Sequence, residues 1–163
     1  MPLRSRSRLL AFALAAFVFA CAAPSAHARL DGPPRREPPK PTVGQRAAKV
    51  ALRAVGVPYR WGGSSPSGGF DCSGLVYWAY GRLGVSVPHS SYALYGLGRS
   101  VRRSRLRPGD VLFFSGLGHV GLYIGGGRMV HAPQSGRNVE VVNLRRSHYG
   151  ARLVGARRLG RAA

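Results

Sequence analysis

Acidic residues are scarce in this chain: 163 residues carry five Asp and Glu against 25 Lys and Arg. Cysteine is scarcer still, with only Cys21 and Cys72. No close C-x-x-C or H-x-x-x-H pair is present, so a metal site lacks a ligand set at its usual spacing. No apolar run beyond the N-terminus approaches the roughly 20 residues of a membrane-spanning helix. Internal repeats are absent too. The shortage of acid leaves a formal charge of +20. A field of that sign draws in polyanions over long range and through counterion release. The plainer alternative is a solvated Arg-rich surface, since only Lys40 and Lys49 are lysines.

What is present begins with an export pattern over residues 1–28. Arg4, Arg6 and Arg8 make a positive start, Leu9 to Ala20 is an uncharged apolar run, and Ala26-His27-Ala28 is a small-x-small cleavage site. An uncleaved anchor and a lipoprotein signal ending at Cys21 are the other readings. Cleavage after Ala28 leaves 135 residues, a single-domain length, with the charge reduced to +17 by loss of three arginines. The mature chain then holds one cysteine and forms no internal disulfide. The expected location is secreted, extracellular or associated with the cell wall. The polyanions available there include wall polymers, and nothing points to a specific nucleic acid. A monomer is the default, with no transmembrane segment once the signal is gone.

Residues 29–41 hold five prolines among charged neighbours and read as an extended linker. Residues 42–160 read as the folded domain. Thr42-Val43-Gly44-Gln45 is a capping box opening a helix that Gly56 would stop. Val57 to Phe70 reads as an ordered loop. Cys72 to Leu83 is a second helix, capped by Asp71, and a short third helix starts at Ser90 or Ser91 and reaches about Tyr95. Strands follow at Val111–Phe114, His119–Ile124, Arg128–Ala132, Val139–Leu144 and Arg152–Arg158. Helices first and antiparallel strands after them predict an α+β domain, with N-terminal helices packed on an antiparallel sheet.

Within this frame Cys72 opens a helix, where unpaired N–H groups and the helix dipole favour a thiolate. Gly68, Gly69 and Gly74 leave room for a substrate's backbone. The competing reading is a small buried residue. A three-residue loop at Gly125–Gly127 pairs Ile124 with Arg128 and Gly121 with His131, which puts His119 and His131 on one face, diagonal to each other. A loop of two or four residues puts them on opposite faces. A thiol, a base and a partner for the base are the parts of a nucleophilic site. His89 and His148 read as loop and surface residues, and Trp61 as packing beneath its loop.

These strings resemble the NlpC/P60 family of cell-wall cysteine peptidases, which have a papain-like core. The likeness runs from Thr42 to Leu159. It rests on Pro58-Tyr59-Arg60-Trp61-Gly62-Gly63, Phe70-Asp71-Cys72-Ser73-Gly74-Leu75-Val76, Leu106 through Phe114, His119 through Gly125, and Met129-Val130-His131-Ala132, in that order. The resemblance implies a cysteine endopeptidase that cuts peptidoglycan stem peptides between D-glutamate and a diamino acid. It implies Cys72 as nucleophile, His119 as general base and His131 as its orienting partner. Tyr59, Asp71 and Ser73 fall on substrate-binding positions, with helix capping as the rival role for Asp71. No metal or organic cofactor is implied; the implied partners are peptidoglycan and anionic wall polymers. Family members often carry Arg and Gln where this chain has His89 and Leu94. An amidase with the same core, and a basic wall-binding protein with a vestigial site, are the alternatives.

Overall fold

The computed structural model describes residues 39–160. The predicted export signal and all but the last three residues of the predicted proline-rich linker lie outside them. Four helices and eight strands follow in order: α1 (Val43–Leu52), β1 (Ser64–Ser65), β2 (Gly69–Phe70), α2 (Cys72–Gly81), α3 (Ser91–Tyr95), β3 (Arg99–Ser100), β4 (Val111–Phe114), β5 (Val120–Gly125), β6 (Arg128–His131), β7 (Glu140–Asn143), α4 (Tyr149–Arg152) and β8 (Leu153–Arg158).

The capping box at Thr42 forms in full. Gln45 N–H donates to Thr42 Oγ1 at 3.2 Å, and Thr42 N–H donates to Gln45 Oε1 at 2.7 Å. Two orphan donors are thereby satisfied at the start of α1. Ala47, Ala48, Val50 and Ala51 form its buried face. Both α1 and α2 end a turn before the glycines expected to stop them. Arg53 and Arg82 cap them instead, while Gly56 and Gly84 take positive φ further on.

The main sheet has six antiparallel strands in the order β3-β8-β4-β5-β6-β7, and β1 pairs with β2 separately. Side chains of β4 alternate between two cores. Val111 and Phe113 join Val120, Leu122 and Val130 against the helices, which contribute Ala47, Leu75 and Ala79. Leu112 and Phe114 join Met129, Leu144 and Ala156 on the other face. This is the expected α+β arrangement. The very short β1, β2 and β3 and the one-turn α4 carry no sequence period long enough to announce them.

The β5–β6 hairpin differs from its predicted form in a way that matters. Gly126 and Gly127 alone make the turn, both at positive φ as a two-residue turn of this type requires. Gly125, not Ile124, pairs with Arg128, and the register shifts between Tyr123 and Gly125. The extra residue is a bulge at Ile124. It offsets the missing loop residue, so Leu122 faces Val130 as it would across a three-residue loop. One step further, Gly121 lies opposite His131, and a Cβ built on Gly121 would sit 3.2 Å from that of His131.

Candidate active site

Asp71 organises the start of α2. Its carboxylate accepts from Gly74 N–H at 2.6 Å, Gly62 N–H at 2.9 Å and Ser73 Oγ at 3.1 Å. His89 Nε2 lies 2.9 Å from both oxygens. One nearly buried anion thus caps the helix, ties down the loop before it and holds His89 in place, whose ring also stacks on Tyr77. His89 is therefore a structural partner of the cap. The glycines nearby serve packing rather than access. A Cβ on Gly74 would meet the Gly63 carbonyl oxygen at 2.0 Å, and one on Gly69 would meet the Arg60 side chain at 2.4 Å.

Cys72 is the first residue of α2 and the single free cysteine among the described residues. Its thiol donates to the carbonyl of Gly118, Sγ to O 3.9 Å, just ahead of His119. Burial pushes the thiol above its ordinary pKa, and the Asp71 carboxylate adds to that; N–H groups of Val120, Ser73 and Cys72 pull the other way without prevailing. Against the helix terminus, which favours a thiolate, desolvation is the larger influence on this sulfur.

His119 Nε2 and His131 Nδ1 are 2.9 Å apart. Both rings sit on the sheet face away from α1 and α2, in an aromatic cluster with Phe114 and Tyr149. Tyr149 stacks on His119 at 5.4 Å and meets His131 edge-on at 4.7 Å. Burial is the main reason that His119 is driven down to about 4 and His131 to about 3, with neighbouring positive charge adding to it. Both are neutral at physiological pH. Tyr149 and His148 lie in a basic stretch whose sequence gave no sign of this placement.

A cleft of about 550 Å³ runs past these groups. Tyr59, Asp71, Cys72, Ser73 and His119 line it, together with His89, Tyr92 and Trp61. Tyr92 Oη bonds the Gly116 carbonyl at 3.1 Å and closes one wall. Burial raises the Tyr59 hydroxyl above its ordinary range, with Cys72 and Asp71 contributing. Trp61 does not pack beneath its loop; it is 90% exposed on the rim. His131 stands behind His119 with no exposure of its own. No cluster of three His, Cys, Asp or Glu side chains among the described residues is arranged to hold a metal ion.

A helix-opening cysteine and a histidine backed by a second histidine share one cleft. The NlpC/P60 family model matches residues 56–158, which include all of these residues. The chain belongs to the NlpC/P60 family. Murein DD-endopeptidase MepH of Escherichia coli is 41% identical over 127 residues, covering 71% of this chain and 47% of that protein. Peptidoglycan endopeptidase RipA of Mycobacterium tuberculosis is 38% identical over 120 residues, covering 63% and 25%. The crystal structure of an NlpC/P60 family protein from Bacillus cereus superposes with a TM-score of 0.63 at 35% identity, over 74% of this chain and 41% of that one. The chain therefore spans less than half the length of each of these family relatives.

Proposed function

We propose that this chain is a secreted cysteine endopeptidase that hydrolyses peptidoglycan stem peptides at the bond from D-glutamate to the diamino acid. The observation that supports it best is the 2.9 Å contact between His119, which lines the cleft that holds the thiol, and the buried His131 behind it. A base with its second nitrogen held by a partner is what a thiol nucleophile requires. Relatives named as peptidoglycan and murein endopeptidases support the substrate class.

Burial disfavours charge on both the thiol and the imidazole that share the cleft. His119 takes the proton as Cys72 Sγ attacks the peptide carbonyl, so the anion exists only when a substrate is there to receive it. N–H groups at the start of α2, with the Tyr59 hydroxyl, stabilise the oxyanion. The imidazolium then protonates the departing amine. Water attacks the thioester with His119 again as base, and Cys72 leaves as the thiol. Asp71 and Ser73 shape the wall beside the sulfur, and Trp61 offers an exposed flat surface at the entrance.

A second reading concerns the bond. MepH is named a DD-endopeptidase and a Bacillus subtilis relative, CwlT, a DL-endopeptidase. Digestion of defined muropeptides, read by mass spectrometry, separates these cases. Cleavage within the stem at D-glutamate supports the proposal, cleavage of cross-links supports the MepH-like reading, and release of intact stems makes the protein an amidase. Cys72→Ala should abolish all cleavage, and cleavage that survives it would remove Cys72 as the nucleophile; wild-type protein that binds the wall and cleaves nothing would be left with a wall-binding role.

A further inference from the structure

Glu140 stands behind the histidine pair. It lies on β7 directly opposite His131 in the β6–β7 ladder, and its Oε1 is 3.5 Å from His131 Nε2. That nitrogen belongs to a fully buried ring and has no hydrogen-bond partner of good geometry among the described residues. The other carboxylate oxygen, Oε2, is taken by Arg137 Nη2. Arg137 is itself fixed to the cleft, because its backbone carbonyl accepts from Tyr59 N–H at 2.8 Å. Around His131 stand His119, His148, Arg137, Tyr149 and Glu140. Glu140 is the one anion among them at neutral pH.

We propose that Glu140 is a positioning residue that selects the tautomers of both histidines. The selection works through single protons. A carboxylate facing His131 Nε2 demands a hydrogen there. A neutral imidazole carries one such hydrogen, so His131 Nδ1 is left bare as an acceptor. The contact at 2.9 Å then requires His119 Nε2 to be the donor. His119 Nδ1, its other nitrogen, is left with the free lone pair. The reverse arrangement points a lone pair of His131 at the carboxylate and leaves His119 without a basic atom for the thiol. The 3.5 Å separation is loose for a hydrogen bond but suits one that shortens in the substrate complex.

This inference rests on the proposed roles of Cys72 and His119, but its test does not. Two-bond ¹H–¹⁵N spectra of histidine-labelled Cys72→Ala protein report each ring's tautomer. His119 and His131 are both expected in the Nε2–H form. Adding Glu140→Ala should move both rings toward Nδ1–H. Glu140→Gln keeps an acceptor and should preserve the original pattern in most molecules. In otherwise wild-type protein, Glu140→Ala should lower kcat about tenfold or more with KM within about twofold, and Glu140→Gln should recover part of the loss. Unchanged tautomers in Glu140→Ala overturn the assignment even if activity falls, because a merely structural residue would give that result. Activity surviving Cys72→Ala would sink the cysteine-nucleophile reading while leaving the tautomer result to decide the role of Glu140.

Discussion

At the scale of the residue, burial decides the chemistry. His131 is fully enclosed and held neutral, with its pKa driven down to about 3. The unfolded chain takes up a proton on this ring as pH falls below about 6.5, while the folded protein does not. Stability from this group is therefore complete above that pH and is lost progressively as pH falls toward 3, at about 1.4 kcal/mol per unit. Urea unfolding followed from pH 8 down to about pH 4.5 should show a falling midpoint. The His131→Gln variant should show a shallower fall, and equal slopes would contradict the assignment. The two histidines could be picked out from strand alternation together with a predicted three-residue loop; parity along each strand is a local property, but the register across the turn is not. Glu140, Tyr149 and the exposed position of Trp61 could not. Each depends on which strand or loop lies alongside in space, and a short basic segment carries no periodic trace of its neighbours.

At the scale of the element, the first turn of α2 is where fold and site coincide. Asp71 was legible as a cap because an acidic residue ahead of an apolar helix is a local signal. Its grip on His89 and Gly62 was not, since it joins segments up to 18 residues apart. The same turn explains why Gly74 is glycine: the Gly63 carbonyl occupies the space of a side chain. Gly74→Ala should destabilise the domain by about 1–3 kcal/mol, the usual cost of forcing a methyl into filled space. It should also lower kcat, because the loop it displaces borders Cys72. Thermal melting and kinetics on one preparation test both, and a variant as stable as the parent would show that the loop yields freely. The Ile124 bulge is the other decisive element. Pattern and turn residues predicted a hairpin, but a bulge leaves no mark in an apolar run, and the correct face for His131 came from two deviations that cancel.

For the molecule as a whole, charge is distributed by the few acids it has. The three carboxylates of the described domain are engaged: Asp71 with His89, Asp110 with Arg158, and Glu140 with Arg137. Arg99, Arg102, Arg105 and Arg107 are left to line a cavity of about 700 Å³ along β3, away from the cleft. Retention on purified peptidoglycan carrying anionic polymers should accordingly fall by an order of magnitude or more between about 50 and 200 mM salt. Replacing Arg99, Arg102 and Arg105 by Glu should weaken retention while leaving cleavage of a small soluble muropeptide intact. Binding that ignores salt would assign the charge to solubility alone. The Gly118 carbonyl that receives the thiol hydrogen has one more effect. Peroxides and alkylating reagents attack sulfur chiefly as its anion. Burial that raises the thiol's pKa leaves less of that anion at neutral pH, so slower oxidation and slower alkylation than for an exposed cysteine are expected.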